Sequence, residues 1–333
     1  MGAAGAHILG CAGPVLSRDE AAFFRDADPW GFILFDRNLA DADQIRSLTA
    51  ALRESVGRDA PILIDQEGGR VQRLRPPLAR DWPAPLDQVR ALGADARRGL
   101  WLRYRLIAVE LRGYGIDVNC APIADIATEA THPVLHNRCY GTERDTVVPL
   151  ARAVADGLLA GGVLPVLKHI PGHGRATADS HLELPRVEAS AADLEATDFA
   201  AFRALSDLPL GMTAHVVYAA LDNRAATVAP PLIDAIRRDM AFDGLLMSDD
   251  ISMSALQGSI AERSAAAIDA GCDVILHCNG DLAEMQAVAA AAGPMRPEAA
   301  RRADAALARR SPPEAADPAA LAAELAALGG AHV

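Results

Sequence analysis

The chain has 333 residues, of which 51 % are hydrophobic, and its formal net charge is −12 at pH 7. This negative balance argues against nucleic acid and anionic membranes as partners, because binding to phosphates requires a basic surface. The apolar content is sufficient for a large core, and no run of 18 apolar residues predicts a membrane-spanning helix.

Short apolar runs recur along the chain between longer amphipathic segments. Continuous apolar strands that alternate with helices favour parallel pairing with both faces of the sheet covered. Eight such units in about 280 residues match a (β/α)8 barrel better than an open doubly wound sheet. The predicted strands are His7–Cys11, Gly31–Phe35, Pro61–Asp65, Ile116–Pro122, Val163–His169, Leu210–His215, Gly244–Ser248 and Asp273–Cys278.

The segments between these strands are predicted to be helical. Examples are Asp41–Glu54, Leu86–Arg112, Asp145–Ala160 and Ile260–Ala270. The tail, from about residue 297 to 333, is rich in alanine and predicts further helix, with a break at Pro312 and Pro313. No linker interrupts the pattern. We therefore expect residues 1–333 to form a single domain, a (β/α)8 TIM-like barrel with a helical C-terminal tail.

Polar side chains fall at the carboxyl ends of six predicted strands. They are Asp65, Asp125, the pair Lys168 and His169, His215, the pair Asp249 and Asp250, and Asn279. Barrel enzymes build their active sites at this end, since the loops that follow the strands converge there. Solvation of a loop explains a single polar residue at a strand end, but six strands with the same feature favour an active face.

The cysteines are five in number and lie mostly inside apolar runs. They are Cys11, Cys120, Cys139, Cys272 and Cys278. An odd number of buried thiols is typical of a reducing compartment and not of a disulfide framework. The apolar N-terminus also lacks the basic region of a signal peptide. We therefore expect a cytoplasmic protein.

A single lysine, Lys168, stands against 31 arginines, and it lies in the segment Lys168–Gly174 with the sequence KHIPGHG. Lysine carries a compact charge on a flexible stem, so arginine does not replace it where that charge must reach into a crowded polar site. His169 and His173 belong to the same segment, and Asp179 and His181 follow shortly after it. This concentration of polar groups around the one lysine favours a functional site.

Two chemistries are open for these histidines. One is zinc binding, but Pro171 and Gly172 oppose the helix that would place His169 and His173 on one face. The other is acid–base catalysis, because Asp179 and His181 point to the same side of an extended loop. A histidine titrates near a pKa of about 6.5, so it both donates and accepts a proton at neutral pH.

Two further segments carry carboxylates. Asp65–Arg73 reads DQEGGRVQR, a Gly-Gly turn with acidic and basic residues on both sides. Its carboxylates can accept hydrogen bonds from sugar hydroxyls, while its arginines donate in a fixed fork; a salt-bridged turn is the alternative. Asp249 and Asp250 follow an apolar run, so one can face the barrel axis and attack an anomeric carbon while the other braces a loop or caps the next helix.

Taken together, these motifs resemble glycoside hydrolase family 3, and within it the bacterial β-N-acetylglucosaminidases of peptidoglycan recycling. The segments that carry the resemblance are Ile64–Leu74, Lys168–Gly174 with Asp179–His181, and Ser248–Met253, with Asn137–Gly141 and Ala214–Val216 in support. The resemblance covers essentially the whole chain in order. It corresponds to the compact form with one barrel, without the second α/β domain of larger members.

The resemblance implies retaining hydrolysis in two steps. Asp249 matches the nucleophile, His181 the general acid/base and Asp179 its partner. Residues that match sugar-binding positions are Asp65, Arg73, Arg138, Lys168 and His169. The implied substrate is GlcNAc linked to 1,6-anhydro-N-acetylmuramic acid, with or without its peptide. No metal or organic cofactor is implied, and we expect a monomer.

Three alternatives stay open from the sequence. A histidine acid/base repels phosphate less than a glutamate would, so the enzyme could be a phosphorylase that releases GlcNAc-1-phosphate. A muropeptide-binding protein that kept the barrel without catalysis is a second possibility. A zinc-dependent barrel hydrolase is the third, and a chelator would inactivate it.

Overall fold

The computed structural model describes residues 3–178 and 183–329. Within these ranges the central feature is a barrel of parallel strands. They are β1 (Gly5–Leu9), β2 (Pro29–Leu34), β3 (Ile62–Ile64), β4 (Val118–Asn119), β5 (Leu164–Ile170), β6 (Leu210–Thr213), β7 (Leu245–Asp250) and β8 (Val274–His277). Each pairs with its neighbours in chain order, and β8 pairs with β1 to close the barrel. The predicted (β/α)8 fold is confirmed.

The strands form because their side chains are apolar on both faces. Every residue of β1, β2 and β5 is buried, since one face lies inside the barrel and the other lies under the helices. Each predicted strand overlaps an observed one, but some ends differ. Lys168 and His169 lie inside β5, whereas His215 lies two residues beyond β6.

Helices cover the outside of the barrel. They are α1 (Arg18–Ala27), α2 (Ala42–Val56), α3 (Pro85–Leu92), α4 (Ala96–Gly113), α5 (Pro133–His136), α6 (Arg144–Ala160), α7 (Ala191–Ala196), α8 (Asp198–Arg203), α9 (Pro230–Arg238), α10 (Ile260–Ala270), α11 (Leu282–Ala292), α12 (Pro297–Ala308) and α13 (Pro318–Ala327). The single helix predicted over Leu86–Arg112 is wrong. Gly93, with φ of +54°, ends α3, and a 3-10 turn over Gly93–Asp95 precedes α4.

Local sequence defines where several helices begin. Ser17 and Glu20 form a reciprocal capping box at the start of α1, and Ser259 and Glu262 form another at the start of α10. In each box the serine hydroxyl oxygen accepts from the N–H of the glutamate, and the glutamate carboxylate accepts from the N–H of the serine. Two main-chain donors that would otherwise be unpaired are thereby satisfied. Such caps explain why the prediction for Ile260–Ala270 matches the observed helix.

The C-terminal tail packs against the barrel through charged and apolar contacts. The chain leaves α12 and runs without helix past Pro312 and Pro313 to α13, in agreement with the predicted break. Glu324 of α13 accepts two hydrogen bonds from Arg98 of α4, at 2.7 and 2.9 Å. Leu325 is fully buried beside them. The tail thereby covers part of the outer helical layer.

All five cysteines are buried free thiols, as the sequence predicted. None of the helices within residues 3–178 and 183–329 is long and apolar enough to cross a membrane.

A buried carboxylate joins the tail to the amino-terminal ends of the strands. Asp117, which precedes β4, is 1 % exposed. Its Oδ2 accepts from Arg53 at 2.9 Å and from Arg310 at 2.5 Å, and its Oδ1 accepts from the N–H of Ile62 at 2.8 Å. Exposed Asp59 contacts the same two arginines, at 2.8 and 2.6 Å. Arg53 and Arg310 therefore each contact one buried carboxylate, Asp117, and one exposed carboxylate, Asp59.

We expect Asp117→Ala to lower the free energy of unfolding by about 3 kcal/mol, because it leaves two guanidinium groups and one main-chain N–H without their buried acceptor. Asp59→Ala, the matched control, should cost less than about 1 kcal/mol, since water already solvates that carboxylate. Urea unfolding of both variants measures the difference. Equal losses would contradict a special role for the buried carboxylate.

Candidate active site

A cavity of about 300 Å³ opens at the carboxyl ends of the strands. Six of the predicted site residues line it together: Asp65, Arg73, Arg138, Lys168, His169 and Asp249. They come from the loops or ends of β3, β4, β5 and β7, so only the closed barrel brings them together. The other two predicted residues, Asp179 and His181, lie outside the described residues.

A tight hairpin after β3 presents Asp65 and Arg73 to the cavity. Its short strands, Gln66–Gly68 and Val71–Gln72, are antiparallel. Gly68 has a φ of +109°, and a Cβ added there would lie 1.8 Å from a guanidinium nitrogen of Arg103. Arg103 in turn donates to the carbonyl oxygen of Glu67. Glycine is therefore required at this position both for the turn and for the close approach of the arginine.

Three cations and two carboxylates form an ion cluster under the cavity. The Nζ of Lys168 lies 2.9 Å from Oδ1 of Asp65 and 2.6 Å from Oε1 of Glu67. Arg138 binds Glu67 through Nε at 2.9 Å and a terminal nitrogen at 2.8 Å. Arg73 contacts Asp65 at 3.3 Å. This group is called the ion cluster below.

The ion cluster holds its carboxylates in the charged form. Burial by itself would raise the pKa of Glu67, but Arg138 and Lys168 outweigh it and lower that pKa to about 2. Burial acts in the same way on Asp65, where Lys168 and Arg73 lower the pKa well below its usual range. The pKa of Lys168 is raised by the same two carboxylates against the effect of burial. At neutral pH the cluster therefore offers fixed donors and acceptors to a ligand.

His169 is oriented by a buried carboxylate. Its Nδ1 lies 2.7 Å from Oδ2 of Asp125, and Oδ1 of Asp125 accepts from the N–H of His173 at 2.6 Å. Burial would raise the pKa of Asp125, but His169 and His173 lower it. An ionised carboxylate only accepts, so Nδ1 of His169 carries a proton. Its Nε2 is then the ring nitrogen left for the cavity.

Of the four candidate zinc ligands, Asp179 and His181 lie outside the described residues, and only His169 and His173 lie within them. A turn containing Pro171 and Gly172 separates the two residues, and the rings of His169 and His173 meet edge to face with centroids 5.6 Å apart. Among residues 3–178 and 183–329, no group of three or more His, Cys, Asp or Glu side chains could hold a metal ion. Burial and the neighbouring His169 lower the pKa of His173 to about 4, so this ring is neutral at pH 7.

Asp249 faces the cavity from the end of β7. Its Oδ1 accepts from the N–H of Asp250 at 2.8 Å, which fixes one side of the carboxylate. Burial would raise its pKa, but the positive charge that His215 and His169 carry when they are protonated, the charge of Lys168 and that main-chain hydrogen bond lower it. Asp249 is therefore a half-buried, ionised carboxylate that lines the cavity, and its charge is screened less there than in bulk water.

Asp250 also borders the cavity, but its carboxylate is held by the chain around it. Its carboxylate accepts from the hydroxyl of Ser252 at 2.7 Å and from the N–H of Cys278 at 3.2 Å. The expectation that one of the adjacent aspartates faces the axis while the other braces a loop agrees with these contacts. The alternative of a helix cap is wrong, because Ser259 caps α10.

Sequence reasoning missed several residues of the site. Glu67 was part of a recognised motif, but only its burial at 1 % exposure and its contact with Lys168 reveal its importance. Phe35, Arg37 and Met253 also line the cavity. The alternation of Asp65 and Glu67 on one side of the hairpin was the available signal for Glu67. No sequence signal marked Phe35 or Arg37.

An ionised carboxylate opposite a cluster of hydroxyl-binding groups, at the mouth of a (β/α)8 barrel, is typical of an enzyme that cleaves glycosidic bonds. Comparison with known proteins agrees. Residues 15–309 match the model of the glycosyl hydrolase family 3 N terminal domain. The chain belongs to glycosyl hydrolase family 3 and is a glycoside hydrolase.

Curated relatives include two bacterial proteins named beta-hexosaminidase. The one from Tolumonas auensis is 36 % identical over 307 residues, 89 % of each chain. The one from Methylococcus capsulatus is 39 % identical over 275 residues, 80 % of each chain. Among solved structures, NagZ from Neisseria gonorrhoeae in complex with N-trifluoroacetyl-D-glucosamine superposes with a TM-score of 0.86 at 29 % identity, covering 99 % of both chains.

We expect Glu67→Gln to lower the free energy of unfolding by about 3 kcal/mol at pH 7, from a folded pKa of about 2 against an ordinary value of 4.5. A carboxyl group with a lowered folded pKa stabilises the fold above its unfolded pKa. The difference between wild type and variant should therefore be constant from pH 7 to about pH 5 and shrink as the pH falls towards 2.

Urea unfolding at a series of pH values measures this difference. The control is Glu188→Gln, the same change at an exposed glutamate paired with Arg186, which should show no such pH dependence. A difference for Glu67→Gln that does not change with pH would show that the charge of Glu67 is not the cause.

Proposed function

We propose that this protein is a retaining exo-β-N-acetylglucosaminidase that works through a covalent glycosyl–aspartate intermediate. The observation that carries the proposal is the ionised carboxylate of Asp249, which faces the same cavity as the ion cluster. One side of the cavity can hold the hydroxyls of a sugar while the other reaches its anomeric carbon. The names of the curated relatives support a hexosaminidase.

The sugar is held by groups whose roles follow from their protonation. Asp65 accepts hydrogen bonds from hydroxyls, since its carboxylate is ionised. Arg73, Arg138 and Lys168 donate, and each keeps a carboxylate partner that fixes its direction. His169 offers Nε2 while Asp125 holds the ring. Such a set of oriented donors and acceptors binds a terminal sugar with little reorganisation.

In the first step, a carboxylate oxygen of Asp249 forms a bond to C1 while the bond from C1 to the aglycone oxygen breaks. His181, as imidazolium, gives its proton to that oxygen, and Asp179 stabilises the charged ring. In the second step, His181 takes a proton from water, whose oxygen displaces Asp249 at C1. Two inversions give retention of configuration. The roles of Asp179 and His181 rest on the sequence resemblance.

The natural substrate that we propose is GlcNAc linked to 1,6-anhydro-N-acetylmuramic acid, with or without a peptide, as in peptidoglycan recycling in the cytoplasm. The N-trifluoroacetyl-D-glucosamine bound by the Neisseria protein supports a 2-acylamino sugar in the cavity. We further propose that the chain acts as a monomer with one domain over residues 1–333. The mechanism needs no cofactor, since carboxylate, imidazole and hydrogen-bond donors suffice.

The first experiment compares p-nitrophenyl β-N-acetylglucosaminide with p-nitrophenyl β-glucoside, using purified protein in a chelator. Hydrolysis of the N-acetyl sugar alone supports the proposal, and cleavage of the glucoside alone contradicts the substrate. Loss of activity in chelator would favour a zinc enzyme. A parallel reaction in phosphate buffer that yields GlcNAc-1-phosphate would favour a phosphorylase. Binding of the natural disaccharide without any product would favour the binding protein.

We expect Asp249→Ala to lower kcat by at least about a thousandfold, because removal of the nucleophile of a covalent mechanism abolishes the first step. In wild type, a 5-fluoro N-acetylglucosaminyl fluoride should leave a sugar on Asp249, detectable by mass spectrometry of peptides. Asp250→Asn serves as a comparison for the loss of a neighbouring charge. A sugar found on another residue would contradict the assignment.

We expect His181→Ala to reduce turnover of the natural disaccharide by about 100-fold or more, as is typical for loss of a general acid. With p-nitrophenyl substrates the rate of the first step should fall much less, because p-nitrophenolate departs without a proton. The ratio of kcat/KM on the two substrates measures the effect. An equal loss on both would argue against His181 as the acid for the leaving group.

A further inference from the structure

A buried chain of polar side chains lies behind Asp249, and the mechanism above does not use it. Thr213 ends β6, His215 follows two residues later, and Thr227 lies in the 3-10 turn Ala226–Val228. All three side chains are fully buried, with 0 % exposure. Buried polar groups are costly unless they are hydrogen-bonded, and these three side chains are linked to one another by hydrogen bonds.

The contacts of His215 define which of its nitrogens carries the proton. Nε2 lies 3.0 Å from the carbonyl oxygen of Asp250, and Nδ1 lies 2.7 Å from Oγ1 of Thr227. A carbonyl oxygen has no proton to give, so Nε2 must be the donor in the first contact. The ring is therefore either the neutral Nε2–H form or the imidazolium.

Burial favours the neutral form. It lowers the pKa of His215, although the carboxylates of Asp249 and Asp250 oppose this effect. In the neutral ring with a proton on Nε2, Nδ1 accepts. The hydroxyl of Thr227 then donates to Nδ1 at 2.7 Å in preference to the carbonyl oxygen of Ala214, which lies farther away at 3.2 Å. That hydroxyl has one proton, so its oxygen must accept from Thr213, whose Oγ1 lies 2.8 Å away. The donors thus run in one direction, from Thr213 through Thr227 and His215 to Asp250.

The end of this chain controls the residue next to the nucleophile. The carbonyl of Asp250 accepts from His215, while the N–H of Asp250 donates to Oδ1 of Asp249 at 2.8 Å. The same carbonyl also accepts from the main-chain N–H of Met253 at 3.1 Å. The buried histidine therefore shares the carbonyl of Asp250 with one turn of main chain, while the N–H of Asp250 is committed to the catalytic carboxylate. A rotation of this backbone would break both bonds and turn the carboxylate of Asp249.

We propose that His215 and Thr227 are positioning residues for Asp249. Thr227 holds His215 as the Nε2–H tautomer, His215 holds the main chain of Asp250, and the N–H of Asp250 then orients the carboxylate that attacks C1. This inference rests on the proposed role of Asp249 as nucleophile. On this inference the buried polar chain affects the rate of the chemical step and does not affect sugar binding.

The test is Thr227→Val, which keeps the shape of the side chain and removes the hydroxyl. Since one neutral hydrogen bond corresponds to about a three- to tenfold factor, kcat on p-nitrophenyl β-N-acetylglucosaminide should fall by that amount. KM should stay nearly constant, because the ion cluster is untouched. Thr227→Ser restores the hydroxyl and should restore kcat.

The matched control is Thr49→Val. Thr49 is also a buried threonine, 2 % exposed, and its hydroxyl contacts the carbonyl oxygens of Arg46 and Tyr114 on the outer helical layer. This variant should lose stability but keep kcat and KM. If Thr49→Val lowers kcat as much as Thr227→Val, or if Thr227→Ser does not restore it, the loss reflects general destabilisation and the inference is wrong.

A second measurement needs no substitution at Thr227. ¹⁵N NMR of wild-type protein labelled at histidine, assigned with His215→Gln, reports the protonation of both ring nitrogens. One protonated nitrogen, Nε2, at neutral pH is the expected result, and an imidazolium would overturn the inference. If Asp249→Ala retains turnover, the proposed function itself is wrong, whatever the effect of Thr227→Val. An inactive Asp249→Ala together with an unchanged Thr227→Val refutes only the positioning role.

Discussion

The contact of Lys168 with Asp65 and Glu67 is the interaction on which the site depends. A lysine can approach two carboxylates from one point, and its Nζ lies 2.9 and 2.6 Å from them. The contact joins β5 to the hairpin after β3, and Arg138 extends it to the loop after β4. Removal of one charge would leave buried members of the cluster with fewer opposite charges, which costs more than the loss of an exposed ion pair. Binding groups and barrel geometry are therefore stabilised together.

The cavity has two electrically different sides. On one side the ion cluster has three cations for two carboxylates, and on the other Asp249 presents a carboxylate held by a main-chain N–H. Positive charge from the first side, including Lys168, helps to keep Asp249 ionised despite its burial. The same arrangement suits a reaction in which the sugar becomes positively charged at C1 while its hydroxyls remain bound. Binding and chemistry are thus coupled through electrostatics.

Much of the fold could be predicted because its signals are local. Apolar runs of strand length and serine caps such as Ser259 act over a few residues, and so the eight strands and the helix over Ile260–Ala270 were found from the sequence. Errors arose where tertiary contacts decide. The helix predicted over Leu86–Arg112 is broken at Gly93, whose positive φ no periodicity reveals. Adjacent Asp249 and Asp250 look equivalent in sequence, yet the carboxylate of Asp250 is taken up by Ser252 and Cys278, whereas that of Asp249 accepts one main-chain hydrogen bond.

The sequence by itself determined the class of fold and the inventory of chemical groups, because alternation, capping and residue type are properties of short segments. It also determined the family, through motifs that are long and specific. Only the tertiary structure decided which charges become partners, since Lys168 and Asp65 are 103 positions apart and meet through barrel closure. It likewise decided which groups ionise, because burial and neighbouring charges set a pKa and neither is a property of the residue alone. It also decided which ring nitrogen of His215 donates, because Nε2 meets the carbonyl oxygen of Asp250.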